Sequence, residues 1–214
     1  MRDLTSNILR TFSTQVPSII ISIISGIFLT RLLGAEGKGV YAIFFANIEL
    51  MLLIFSIGCD LGIVYFGSNK KISEKKLQAI AIYILGTIIP VITVCILFLD
   101  VSFLFPSNFD TLFFKLFLVG VFGFRLINTY MLTFIRIKKK FKYINRINLI
   151  NSILNTCIYS LLFYLNSKNL ITINIQFIFS ASFLILLLNT MMWVYSFKKV
   201  VVLFPDFNLS FKQD

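Results

Sequence analysis

Three ionisable side chains fall where the surrounding sequence is apolar: Glu49, Asp60 and Arg125. A charge at the centre of a membrane helix costs roughly 2.5 to 3.5 kcal/mol on insertion scales, so each is by default a functional candidate. Glu49 and Asp60 stand eleven residues apart, close to three helical turns, which predicts one shared face with Leu53 and Ser56 between them. Arg125 and Arg136 have the same spacing, with Asn128 and Thr129 on or near their face. Two faces of opposite sign could line one aqueous cavity. Guanidinium forks match phosphate oxygens with paired hydrogen bonds, so Arg125 and Arg136, with Asn128 beside them, are candidates to hold an anionic headgroup. Glu49 and Asp60 are then candidates to couple its movement to a cation. The plainer alternative is an ion pair from Arg125 to Asp60 or to Glu49 that fixes helix packing and touches no substrate.

The uncharged polar residues are also patterned. Asn148, Asn151, Ser152, Asn155, Thr156 and Tyr159 form a stripe at helical spacing. Such groups commonly hydrogen-bond between membrane helices, for about 0.6 to 2 kcal/mol each. The sharper alternative is a sugar-facing wall in which Asn151, Asn155 and Tyr159 bind hydroxyls and stack on pyranose faces. Ser18, Ser22, Ser25, Gly26 and Thr30 make a second stripe, of small residues suited to close helix approach. The chain has no His, which removes imidazole catalysis, ligation and proton relays together. Cys59, Cys95 and Cys157 lie in apolar segments without CxxC spacing, so neither a metal site nor a disulfide framework is expected. No cofactor is expected either. An enzyme such as a polymerase or glycosyltransferase would need a carboxylate cluster or a sizeable extramembrane loop, and neither is visible.

The elements that carry these residues follow from composition. Of 214 residues, 58% are hydrophobic and 14% charged, against about a quarter charged in a soluble domain. A hydrocarbon core about 30 Å thick needs about 20 helical residues, and unbroken apolar runs rather than alternation exclude barrel strands. The expected fold is all-α, a polytopic transmembrane bundle occupying residues 1–199. Its six spans lie near 12–33, 40–66, 77–99, 112–135, 147–165 and 171–197, and residues 200–214 read as a cytoplasmic tail or connector. The first span is too long for a cleavable signal.

Positive charge sets the orientation, because basic short loops stay cytoplasmic. With the N-terminus inside, the cytoplasmic stretches hold Arg2, Arg10, Lys70, Lys71, Lys75, Lys76, Arg136, Lys138, Lys139, Lys140, Lys142, Arg146, Lys198, Lys199 and Lys212. The other side holds only Arg31, Lys38, Lys115 and Lys168. Both termini are therefore expected in the cytoplasm. This sorting accounts for the net charge of +11 without nucleic acid, and a basic groove would lack a soluble domain to carry it. Lys138 to Lys140 are placed to touch anionic lipid headgroups.

One stretch carries a likeness. Gly26 to Tyr41 contains Arg31-Leu32-Leu33-Gly34, then Gly37 and Gly39, then Tyr41. It resembles the first helix and loop of bacterial polysaccharide flippases, the O-antigen and capsule exporters of the multidrug, oligosaccharidyl-lipid and polysaccharide transporter superfamily. Gly58 to Phe66 looks like the Gly-rich end of that family's second helix. The resemblance implies one lobe of a two-lobe fold, since family members usually have twelve or more helices. It also implies a substrate, undecaprenyl-pyrophosphate-linked oligosaccharide, moved across the bacterial inner membrane with no bond broken. Arg31 joins the headgroup candidates on this ground. A second bundle or another copy of the chain, and polysaccharide assembly proteins, are the implied partners. A cation-coupled drug exporter of the same superfamily and a truncated, inactive remnant are the alternatives.

Overall fold

The computed structural model describes residues 2–56, 58–69, 72–98, 112–171 and 173–201, with side chains from Phe12 onward. Lys70, Lys71, Leu99, Lys212, the tail from residue 202 and the side chains of Arg2 and Arg10 lie outside the described residues. Within them the protein is all-α, with six helices: α1 (Arg2–Ser56), α2 (Cys59–Ser68), α3 (Glu74–Phe98), α4 (Leu112–Ile137), α5 (Phe141–Ser167) and α6 (Ile175–Val200). Five are long and apolar enough to cross a membrane; α2, with ten residues, is not.

The first two expected spans are not separated by a loop. Helix α1 runs through both, interrupted by non-helical geometry at Gly34 alone, φ 69° and ψ −178°. Its apolar portion, Phe12–Ser56, has 45 residues, so at about 1.5 Å each it carries ~68 Å of helix, enough for two crossings. The second expected span, 40–66, is itself divided. Gly58 takes a left-handed conformation, φ 65°, and α2 starts immediately after it. Glu49 and Asp60 therefore sit on different helices, and the shared face expected from their spacing does not form.

Local sequence explains the helix ends. α4 and α5 both close with αL residues, Lys139 and Asn169. In each case the next backbone N–H reaches five residues back, Lys140 to Ile135 and Leu170 to Leu165, the Schellman pattern that satisfies terminal carbonyls. Asn174 Oδ1 accepts from the Phe177 N–H and caps α6. Glu74 in the first turn of α3, and Arg136, Lys198 and Lys199 in the last turns of α4 and α6, complement the helix dipoles. α5 begins at Phe141, not Ile147, so Lys142 and Arg146 are helical rather than part of a loop.

The chain forms two compact units. The first comprises Met1–Phe45 and Phe141–Met192. Its core joins Leu29, Tyr159, Leu162, Ile178 and Ile185, and both Leu33 and Tyr41, from opposite sides of Gly34, pack against it. Phe44 and Phe179 meet edge to face at 4.8 Å. The second comprises Ala46–Lys140 and Trp193–Asp214. There α4 packs on α2 and α3. At Gly67 an added Cβ would lie 2.7 Å from Ile137 and 3.1 Å from Leu77, so the missing side chain lets these three helix ends converge. Lys138 donates to Glu74 at 2.5 Å across the same junction. Ile19, Ile20, Ile23 and Ile27 of α1, Val91 and Val94 of α3, and Leu184 and Met191 of α6 remain exposed. A soluble surface does not carry such density of large apolar groups, and a lipid-facing surface requires it.

Candidate functional site

The charged candidates do not gather at one point. In the second unit Arg125 Nη1 donates to Glu49 Oε1 at 2.6 Å. The structure thus contains one of the two ion pairs that the sequence allowed. Their side chains are 38% and 58% exposed, although Arg125 lies midway along α4. Asp60 occupies the first turn of α2, where the helix dipole favours a carboxylate. Asn128 is buried, 9% exposed. Arg136 is exposed in the last turn of α4, eleven residues or ~16 Å of axis from Arg125. Arg31 is exposed in the first unit, one turn before Gly34.

The uncharged stripes, by contrast, meet face to face in the first unit. Ser18 and Ser22 share hydrogen bonds with Ser152 at 2.7 and 3.2 Å. Thr156 donates to the Ile21 carbonyl at 3.0 Å. Small hydroxyl side chains at these positions let α1 and α5 approach and satisfy each other without charge.

Beside this seam opens a cleft of about 440 Å³, lined by Thr14, Gln15, Ser18 and Ile19 of α1 and Asn145, Asn148, Asn151 and Ser152 of α5. Seven of its eight lining residues carry uncharged hydrogen-bonding groups, while Asn145 and Ser152 are themselves more than nine-tenths buried. Asn151 Oδ1 is enclosed with no hydrogen-bond partner among the described residues. A buried unmet acceptor costs about 1 to 3 kcal/mol, which a ligand hydroxyl recovers when the Asn151 amide rotates into the cleft. The arrangement suits a neutral, hydroxyl-rich ligand.

Of the three residues expected to face sugar, Asn151 alone lines this cleft. Asn155 donates to the Asn151 backbone carbonyl at 2.9 Å, along its own helix. Tyr159, 3% exposed, is enclosed against the α6 hydroxyl Ser182 at 2.9 Å and against Tyr41 at 3.3 Å. Ser182 also lies 2.8 Å from the Ile178 carbonyl, to which it donates, so it receives from the tyrosines and ties three segments together. Tyr159→Phe is therefore expected to lower stability by ~1 kcal/mol, read from thermal unfolding in detergent, with no effect on any ligand bound in the cleft. Asn145 falls before Ile147, the expected start of the fifth span, while Thr14 and Gln15 lie inside the first expected span but outside the stripe read from Ser18 onward. The spacing Asn145, Asn148, Ser152, matched by Gln15, Ser18, Ser22, was the available signal.

All-helical architecture among the described residues, with five helices of membrane length bearing exposed apolar faces, defines a multi-pass membrane protein. No protein-family model, no curated protein and no solved structure matches the chain.

Proposed function

We propose that this chain is a bundle of a transporter that carries a lipid-linked oligosaccharide from the cytoplasmic to the outer leaflet of a bacterial inner membrane. The observation that carries the reading is the uncharged cleft between α1 and α5, whose amides and hydroxyls suit a glycan and whose setting among exposed apolar helices suits a ligand attached to lipid. The cleft lies in the first turns of the apolar part of α1 and of α5, the ends that the basic residues assign to the cytoplasm. A glycan would load there while its polyprenyl tail stayed in the bilayer.

Translocation breaks no bond. The protein supplies exchangeable hydrogen bonds in place of water, and release follows when the cleft opens to the other side, as in carriers built from rocking bundles. Arg31, exposed in the first unit one turn before Gly34, is accessible to the pyrophosphate on the outer side, whereas Arg125 of the second unit is engaged by Glu49. A cation-coupled drug exporter would rely on acids, and Glu49 is committed to its arginine.

The test is Asn148→Leu with Asn151→Leu in cells that depend on this chain for surface glycan. Two lost hydrogen bonds of about 1 kcal/mol each lower export roughly tenfold or more, and undecaprenyl-linked sugar accumulates inside. Unchanged export at unchanged membrane abundance would rule the reading out.

A further inference from the structure

Within the second unit a separate cleft of about 170 Å³ lies between α3 and α4, with α6 closing one end. Ile82 and Leu85 of α3, Ile127, Tyr130 and Met131 of α4, and Phe197 of α6 contribute to its walls, which are almost wholly apolar. Three helix ends converge at its rim. The Lys138 to Glu74 hydrogen bond brings the end of α4 to the start of α3, and the rings of Phe134 and Phe197, 5.8 Å apart, bring it to the end of α6.

Those same ends carry cations. Lys75 follows Glu74 in the first turn of α3, Arg136 stands in the last turn of α4, and Lys198 and Lys199 immediately follow the wall residue Phe197. All four are exposed. Lys138, held by Glu74, is not needed for the count. The result is an apolar slot capped by positive charge, at the end that the charge distribution assigns to the cytoplasm.

We infer that this slot is a binding site for an anionic phospholipid, its phosphate at the basic rim and part of one acyl chain in the groove. Charge complementarity selects the occupant: a zwitterionic lipid gains little from the rim, and an uncharged protein helix leaves four cations unmet. Depth agrees as well. Tyr130 lies six residues, ~9 Å, below Arg136 along α4. The groove thus runs about 9 Å below the cationic rim, the depth of a glycerol backbone and the first acyl carbons. The site is independent of the polar cleft and of the transport reading.

The chain's single tryptophan gives the measurement. Trp193 is buried one helical turn from Phe197 on α6, close to the slot. The full chain, reconstituted in phosphatidylcholine vesicles, is titrated with brominated phosphatidylglycerol or brominated phosphatidylcholine, and quenching of Trp193 is followed. The expected result is half-maximal quenching by the anionic lipid at a mole fraction roughly tenfold lower. Lys198→Gln with Lys199→Gln abolishes the preference by removing charge. Ile82→Phe, at a partly exposed wall position, abolishes it by filling the groove while leaving every cation in place. Equal quenching by the two lipids overturns the proposal, as does a preference that survives both variants. Displacement of the anionic lipid by millimolar inorganic phosphate would also overturn it, since the rim would then hold phosphate alone and the groove no chain.

Discussion

Gly34→Ala is expected to destabilise the protein by about 1 to 3 kcal/mol, more than any other single glycine replacement in α1. The reason is the backbone alone. With φ 69° and ψ −178°, Gly34 occupies a region that is essentially closed to side-chain-bearing L-residues, whereas nothing lies within 4 Å of the added Cβ. No packing clash contributes, and no local repacking relieves the strain. The cheapest response is for the helix to become continuous through residue 34, which would pull Tyr41 or Leu33 from the core they share. Gly39→Ala is the control: it sits in the same helix, also with open space around its Cβ, but with no positive φ. There alanine is expected to be neutral or to stabilise by up to ~1 kcal/mol, because it favours helix. Unfolding midpoints of the two variants in one detergent decide the matter, and equal midpoints would refute the break at Gly34.

Glu49→Gln is expected to cost about 2 to 3 kcal/mol, by removing the Glu49 carboxylate charge from beside the Arg125 guanidinium midway along a membrane-length helix. Arg125→Gln should cost a similar amount for the converse reason. The double variant should cost less than the sum, with a coupling of about 1 to 2 kcal/mol in a double-mutant cycle. The size of that coupling follows from exposure. An ion pair in water is worth about 0 to 1 kcal/mol, and breaking a fully enclosed one costs about 3 to 5. Side chains 38% and 58% exposed fall between these limits if their surroundings are lipid or a narrow aqueous space. A coupling near zero would show that the pair is freely hydrated and holds nothing together. Export assayed on the folded double variant separates packing from headgroup binding, because only the second is lost with the charge.

Apolar runs made the helical class legible, and their lengths made the membrane setting legible, since a bilayer admits little else. The two glycine breaks were not legible in kind. Gly34 lay in a stretch with Gly37 and Gly39 that reads as a loop, yet helical propensity carries the chain through all but one residue. Gly58 lay inside an apolar run whose periodicity gives no sign of a stop, and the stop is what separates Glu49 from Asp60. Polar stripes were legible as stripes, because hydroxyls and amides at helical spacing must find partners in an apolar medium. Which positions bond to each other and which face open space depends on how α1 and α5 are rotated. That rotation follows from core contacts such as Leu29 with Tyr159, distant in the chain. Tyr159 and Asn151 look alike in sequence, and only packing assigns one to the core and the other to the cleft.

The two breaks share a hand, both with positive φ, but mirror different conformations. Gly58, at φ 65° and ψ 12°, has the mirror image of ordinary helical geometry, a conformation asparagine also tolerates, so Gly58→Asn should retain the turn. Gly34, at φ 69° and ψ −178°, mirrors the extended polyproline conformation instead. No genetically encoded side chain is comfortable there, but a D-alanine introduced by chemical synthesis would be. At residue 34 the constraint on the chain is thus stereochemical rather than spatial: the position rejects one hand of alanine and accepts the other.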